Sequence, residues 1–291
     1  MGEWLVEIAV SPLPPGLYLV ATPIGAARDI TLRALDILAS ANVLAAEDTR
    51  TLRRLMGIHG IPVGGRPLVA YHDRNGATMR PRLLGMIGEG RSVAYASDAG
   101  TPLVSDPGFG LVRSARAEGL AVTSSPGPSA VLAALAVSGL PTDRFLFAGF
   151  PPTSRGARLT WLSELRSAPA TLVVFESPRR IHRLLSEMAD AFGERDAAVC
   201  RELTKRFEEV MSGSLEDLAT RTAARALKGE IVLVVDRGQP DGPVADLDGI
   251  LVSALAGMSV RDASESVAKA LGLPRRRVYR EALRLTESGK V

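Results

Sequence analysis

The sequence predicts an α/β protein with a mainly parallel N-terminal sheet, a second domain built on a mixed sheet, and a small helical C-terminal tail. Three observations predict it. Residues 17–150 alternate short apolar runs with amphipathic stretches, the pattern of parallel strands joined by crossover helices. The segment Phe150-Pro151-Pro152-Thr153-Ser154-Arg155-Gly156 breaks that alternation with linker chemistry, and two strand-like runs beyond it lie close enough to form a hairpin-like pair. From Asp246 to Thr286 only helical periodicity is left. The expected divisions are therefore 16–150, 151–238 and 246–291. A chain of 291 residues with 46% hydrophobic content is long and apolar enough to fill more than one core.

Element by element, Leu17–Ala21 reads as the first strand, and Asp29 is placed to cap a helix over Thr31–Ala39 whose apolar face is Leu32, Leu35, Ile37 and Leu38. Strands follow at Val43–Ala46, Leu68–Tyr71 and Val93–Ala96, with helices near Arg50–Met56 and Ala77–Ile87 between them. Ala121–Ser124 is a fifth strand, after which Pro128 opens a helix over Ser129–Val137, proline being well tolerated at a first helical position. Past the linker come a helix at Ala157–Leu165, a strand at Thr171–Phe175, and a helix begun by Ser177 and Pro178. The pair Ala197–Glu202 and Phe207–Ser212, a helix start bracketed by Ser214 and Asp217, and a last strand Glu230–Val235 complete the second half. Gln239–Gly242 is a turn-rich linker, and the tail is read as two or three small helices interrupted by Gly272 and Pro274.

Composition removes several function classes. Net charge is +3 and no part of the chain is strongly one-signed, so global charge does not announce a nucleic-acid binder. The exception is local: Arg275, Arg276, Arg277, Arg280 and Arg284 face only Glu281. No apolar run approaches the roughly 20 residues that span a bilayer, and the N-terminus lacks the order of a signal peptide, so a cytoplasmic protein is expected. Met1-Gly2 does not make a myristoylation signal, because position 6 is Val6 where Ser or Thr is wanted. Cys200 is the sole cysteine and sits in an apolar run, which excludes an internal disulfide and suits a core position. His59, His72 and His182 lack metal-ligand spacing, so no metal is expected.

The sharpest signal is Ser97-Asp98-Ala99-Gly100-Thr101-Pro102-Leu103-Val104-Ser105-Asp106-Pro107-Gly108, a rigid polar stretch at the end of a buried strand, where an α/β protein holds its ligand. Its partner is Ser125-Pro126-Gly127-Pro128-Ser129-Ala130, where the backbone is fixed as a helix begins and N–H groups and the Ser129 hydroxyl are presented. The first turn, Ala21-Thr22-Pro23-Ile24-Gly25-Ala26-Ala27-Arg28-Asp29, has one glycine where a dinucleotide fold has three, which disfavours NAD or FAD. In Ala45-Ala46-Glu47-Asp48-Thr49-Arg50, Asp48 or Thr49 can cap the next helix by accepting its orphan N–H groups, whereas Glu47 does not fit a cap and, facing a cleft at the strand's end, could bind a cation or take a proton. Phe175-Glu176-Ser177-Pro178-Arg179-Arg180 and Arg201-Glu202-Leu203-Thr204-Lys205-Arg206-Phe207-Glu208-Glu209 place charged groups at strand ends, as a solvated hairpin also would.

These six motifs, in this order and spacing, resemble the ribosomal RNA small-subunit methyltransferase I family of the tetrapyrrole methylase superfamily, from about residue 16 to 236 and more loosely into the Arg-rich tail. The resemblance implies a tetrapyrrole-methylase-like fold, S-adenosylmethionine held between two domains, a homodimer, and 2′-O-methylation of a cytidine ribose in the decoding region of 16S rRNA. It implies a methyl-donor site at Pro23, Ile24 and Gly25, at Asp98, Gly100, Thr101, Leu103 and Val104, and at Ser129 and Ala130, with Glu176, Ser177, Leu203 and Glu230 contributed by the second domain. Superfamily relatives methylate ring carbons of tetrapyrroles, so a tetrapyrrole substrate is one alternative and a non-enzymatic ribosome-assembly factor is another.

Methyl transfer from a sulfonium is an in-line displacement, so a protein must align the 2′-oxygen with the methyl carbon and help the hydroxyl lose its proton. Lys205 is suited to stabilising the developing alkoxide, and Glu47, Asp48 or Glu202 to receiving the proton. RNA contacts to phosphates are expected at Arg50, Arg179, Arg275, Arg276 and Arg277. A packing or dimer role for the tail is the alternative to its touching RNA.

Overall fold

The computed structural model describes residues 7–237, 247–271 and 275–287, the side chains of 276, 277 and 287 excepted. They divide into two compact units, one within Met1–Arg237 and the other within Gly238–Val291.

The first unit holds two five-stranded sheets. The first sheet contains β1 (Gly16–Val20), β2 (Val43–Ala46), β3 (Leu68–Ala70), β4 (Ser92–Ala96) and β5 (Val122–Ser125), ordered β3-β2-β4-β1-β5 and parallel throughout. Its central strands β2 and β4 are buried along their whole length because both faces are covered. Leu44, Ala46, Ala94 and Ala96 pack against α1 (Leu32–Ser40) and α2 (Thr49–Ile58), whereas Val43, Ala45, Val93 and Tyr95 pack against α3 (Gly76–Gly88) and α4 (Phe109–Ala117). That division follows the two-residue period of a strand. Since the chain leaves neighbouring β1 and β4 toward opposite faces, a crevice opens at their carboxyl ends, the usual ligand position in such a sheet. Thr22 and Gly100 bridge it, each N–H donating to the other's carbonyl at 2.9 Å.

The second sheet contains β6 (Phe145–Gly149), β7 (Thr171–Glu176), β8 (Asp196–Arg201), β9 (Glu209–Ser214) and β10 (Ile231–Val235), ordered β6-β7-β10-β8-β9. β6 and β7 are parallel and the other pairs antiparallel, the mixed sheet that the short connections predict. One face is covered by α6 (Arg155–Leu165), α7 (Ile181–Phe192) and α8 (Leu215–Ala223). On the other, Val131, Ala134 and Leu135 of α5 (Ala130–Ser138) pack against Val173, Ala198, Cys200 and Val234, so Cys200 is indeed core. The helix that follows the last strand of the first sheet therefore belongs to the core of the second.

Several expectations need correcting. Helix α1 is capped by Thr31, whose Oγ1 accepts from the Ala34 N–H at 3.2 Å; Asp29 lies earlier, its own N–H bonded to the Ala26 carbonyl. Helix α7 begins at Ile181, because Ser177–Arg180 is spent on a turn closed by Arg180 N–H on the Ser177 carbonyl at 3.0 Å. Helix α5 begins at Ala130, with Ser129 as its cap residue. β6 precedes the Phe150–Gly156 segment yet already pairs with β7, so the change of sheet comes earlier than the linker chemistry suggests. The sequence pattern does not predict α4 or β6. The Ser214 cap is as expected, accepting from the Asp217 N–H at 3.2 Å.

The second unit contains α9 (Leu247–Leu255), α10 (Val260–Leu271) and α11 (Arg275–Glu287) around Leu251, Val267, Val278, Ala282 and Leu285. Gln239–Gly242, Gly272 and Pro274 lie outside the described residues.

Candidate active site

A cavity of about 420 Å³ opens where the carboxyl ends of β1 and β4 meet the start of α5 and the ends of β7 and β10. Its apolar wall comes from Ile24, Val104, Val131, Phe150, Phe175, Ile231 and Val232; its polar groups include Thr101, Ser105, Ser129 and Ser177 and three carboxylates, Asp106, Glu176 and Glu230. The floor is rigid. Thr22 Oγ1 donates to the Ser97 carbonyl at 3.0 Å, Ser97 Oγ to the Gly100 carbonyl at 2.7 Å, and Thr101 Oγ1 to the Pro128 carbonyl at 3.0 Å. The Ser129 side chain makes no capping bond to its helix, which leaves its hydroxyl to the cavity it lines.

Nine residues assigned to a ligand in the sequence line this cavity: Ile24, Gly100, Thr101, Val104, Ser129, Ala130, Glu176, Ser177 and Glu230. Five do not. Pro23 precedes Ile24 in the same turn, and Gly25 backs onto the β8–β9 connection: a Cβ there would lie 2.6 Å from Thr204 Oγ1 and from Lys205 Cγ. The Asp98 carboxylate accepts the Asp48 N–H at 3.0 Å, tying the end of β4 to the end of β2. Leu103 sits in a left-handed conformation, φ 74°, and Leu203 is buried in the core between α5 and the second sheet.

The four residues expected to do chemistry also lie off the wall. Asp48 caps α2 through the Arg50 N–H at 2.8 Å and clamps the Arg50 guanidinium, and these bonds hold its carboxyl down at about 2. Glu202 accepts from the Glu230 N–H at 2.9 Å and from Lys205 Nζ at 2.9 Å, which lowers its pKa. Lys205 also reaches Glu230 at 2.6 Å; burial opposes its charge, but the bonds to Glu230 and Glu202 outweigh it and the pKa rises. Lys205 is thus a fixed cation one residue behind the wall. Glu47 alone among the three carboxylates is pushed toward its protonated form, by burial and then by Asp98, with His72 opposing.

Sequence reasoning places the Phe175–Ser177 segment at the site but misses Phe150 and the weight of Asp106. Phe150, assigned to a linker, lines the cavity and stacks edge-on against Phe175 at 5.5 Å, while Phe147 meets Phe175 from behind at 4.8 Å. The signal was there in a large aromatic beside two prolines, but only pairing of β6 with β7 brings it to Phe175. Asp106 stood in the sharpest motif without being singled out. Of the expected RNA contacts, Arg179 is exposed, Arg50 is exposed but paired with Asp48, and Arg275 is paired with Glu265 at 2.9 Å.

Residues 16–219 match the family model for tetrapyrrole (corrin/porphyrin) methylases, and the fold agrees with solved structures of that class. The methyltransferase CobJ superimposes with a TM-score of 0.59 at 19% identity, covering 76% of this chain and 94% of that one. Uroporphyrin-III C-methyl transferase from Thermus thermophilus, complexed with S-adenosyl homocysteine, does so with 0.54 at 20% identity, over 76% and 97%. The chain is thus a tetrapyrrole-methylase-class protein. Within that class, residues 241–286 match the RsmI C-terminal HTH domain, and a ribosomal RNA small subunit methyltransferase I from Mesorhizobium japonicum is 50% identical over 97% of this chain and 96% of its own length. The Mycobacterium tuberculosis protein of the same name is 44% identical over 90% and 93%. This chain belongs to the ribosomal RNA small subunit methyltransferase I family.

Proposed function

We propose that the protein transfers the methyl group of S-adenosylmethionine to the ribose 2′-hydroxyl of a cytidine in the decoding region of 16S rRNA, acting in the cytoplasm as a homodimer. The observation that carries the reading is the composition of the cavity. Its aromatic and aliphatic wall suits an adenosyl group, and its three carboxylates suit a cationic sulfonium over the neutral thioether product. The bound donor supplies an activated methyl group. The chain's part is to hold the nucleoside against Ile24, Phe175 and Ile231, to fix the floor through the Thr22–Gly100 bridge, and to place the Lys205 ammonium where it favours a developing alkoxide. Family membership supports small-subunit rRNA as the acceptor. The exposed apolar residues Leu132 and Val137 of α5, with Phe145 and Leu146 of the edge strand β6, support self-association. Arg179 and the basic residues Arg275, Arg276 and Arg277 are proposed to meet phosphates. Among the described residues no helix is long and apolar enough to cross a membrane.

The test is incubation of the purified protein with labelled S-adenosylmethionine and small subunits lacking the modification, followed by digestion and mass-spectrometric mapping. A methyl on one decoding-region cytidine ribose is the expected result. Label on a tetrapyrrole such as uroporphyrinogen and none in RNA would overturn the reading.

A further inference from the structure

We propose that Asp106 is the catalytic base, the group that takes the proton from the substrate hydroxyl, with Glu47 and Asp98 as the positioning residues behind it. The inference rests on the 2′-hydroxyl reading above.

Elimination within the cavity comes first. Glu176 accepts from the Ser177 N–H at 2.6 Å and from the Arg180 guanidinium at 2.8 and 2.7 Å. Glu230 is held by Lys205. Among the described residues Asp106 is the cavity carboxylate that engages neither a cation nor a hydrogen-bond donor. A base must have a lone pair open toward the reacting atom, and a carboxylate saturated by guanidinium or ammonium donors has little basicity left to offer.

The backbone around Asp106 is fixed with unusual care. Leu103 and Ser105 both adopt left-handed φ, 74° and 62°, strained conformations that persist where the surroundings enforce them, and that cluster at ligand sites. On the far side the Tyr95 hydroxyl donates to the Pro107 carbonyl at 2.9 Å, and Gly108, φ 123°, backs onto the Tyr95 ring so closely that a Cβ would lie 2.7 Å from Cε1. A surface turn has no need of such bracing.

The electrostatic setting then makes this carboxylate basic. Glu47 faces it from the end of β2 and Asp98 from the end of β4; Asp48 and Asp73 stand beyond Glu47, His72 opposes them there, and Tyr95 lies beneath as a neutral phenol. Burial, then Glu47 and Asp98, push the Asp106 carboxyl up to about 7, where a general base is both available and strong near neutral pH. The step balances. Asp106 takes the hydroxyl proton as the 2′-oxygen bonds to the methyl carbon, and the electron pair of the carbon–sulfur bond stays with sulfur as a neutral thioether. Ile24, Val104 and Phe150 keep the same wall apolar, which strengthens the like-charge coupling.

The experiment uses the full chain and small subunits lacking the modification. Single-turnover rates are measured against pH for the wild type, Asp106→Asn and Glu47→Gln, and S-adenosylhomocysteine affinity is measured for each by calorimetry. The wild-type rate should rise with pH through an inflection near 7, the carboxyl's own value. Asp106→Asn should lose about 10²–10⁴-fold in rate and the inflection with it, the range for removing a general base, while binding S-adenosylhomocysteine within about twofold of wild type. Glu47→Gln removes a like charge and should move the inflection to lower pH, which a packing role for Glu47 would not do. A rate for Asp106→Asn within about tenfold of wild type, or an inflection unmoved in Glu47→Gln, overturns the proposal. Loss of S-adenosylhomocysteine binding in Asp106→Asn would make it a donor-binding residue and also overturn it. If the wild-type methyl maps to a base instead of a ribose, the functional reading fails and takes this one with it; a ribose methyl with unimpaired variants defeats this one alone.

Discussion

Asp106→Asn replaces a carboxylate, forced to ionise beside Glu47 and Asp98, with a neutral amide of the same shape, and in alkaline buffer the exchange should raise stability even as it removes activity. The carboxyl moves from 3.8 to about 7 on folding. At about 1.36 kcal/mol per pKa unit that is an upper bound of about 4 kcal/mol against the folded state, and because the group opens on a cavity we halve it for solvent screening, to about 2 kcal/mol. The folded-state value is the raised one, so this group's contribution to stability is full below about pH 4 and is lost as the pH climbs to about 7. Above that the wild type carries the whole penalty and the variant none. Scanning calorimetry of both proteins should show the variant melting higher at pH 8.5 by about 4–8 °C, the shift expected for about 2 kcal/mol in a unit of this size, with a smaller difference at pH 5. No gain at pH 8.5 would refute the reasoning, and so would a gain of equal size at both pH values, which would point to packing instead of charge.

Gly25→Ala should be poorly tolerated: its Cβ would meet Thr204 Oγ1, which accepts the Ala26 N–H, and the Leu203 carbonyl at 3.0 Å. A loss of about 1–3 kcal/mol of stability and weaker S-adenosylhomocysteine binding are expected by calorimetry. Arg158→Ala leaves Glu187 without the guanidinium that bonds it at 2.5 Å, and frees the Pro152 and Thr153 carbonyls as well. With these side chains only 3% and 12% exposed, denaturant titration should show a loss of about 3–5 kcal/mol. Arg276→Ala with Arg277→Ala should weaken small-subunit binding at every RNA sequence tried and flatten its salt dependence by about two phosphate contacts, as read from binding constants against salt. An unchanged slope would assign the tail to packing.

Much of the cavity wall is legible in the sequence. The stretch from Ser97 to Gly108 announces itself because local chemistry alone, prolines and glycines after a strand, demands an unusual backbone there; six of its residues lie on the cavity wall, among them Gly100, Thr101 and Val104, which the sequence assigns to the ligand, and Asp106, which it does not single out. Glu47 and Asp48 are partly separable in sequence, since Asp48 or Thr49 suits a helix cap and Glu47 does not, but adjacency hides what Glu47 faces. In the structure one caps a helix and grips Arg50, and the other turns toward Asp98. Phe150 reads as linker in sequence because its neighbours are turn formers, and β6 carries no local signal because it needs β7 beside it to be a strand.

The sequence by itself determined the alternation of strand and helix, the switch from a parallel to a mixed sheet, and the motifs at the strand ends, since each is set by period, turn chemistry and capping within a few residues. Only the tertiary structure decided which carboxylates share a field. Asp106 feels Glu47 and Asp98 because the parallel pairing of β2 with β4 aligns their carboxyl ends, and Lys205 meets Glu202 and Glu230 because β8 pairs with β10. Charge interactions depend on distance through space and on burial, and neither quantity is written along the chain.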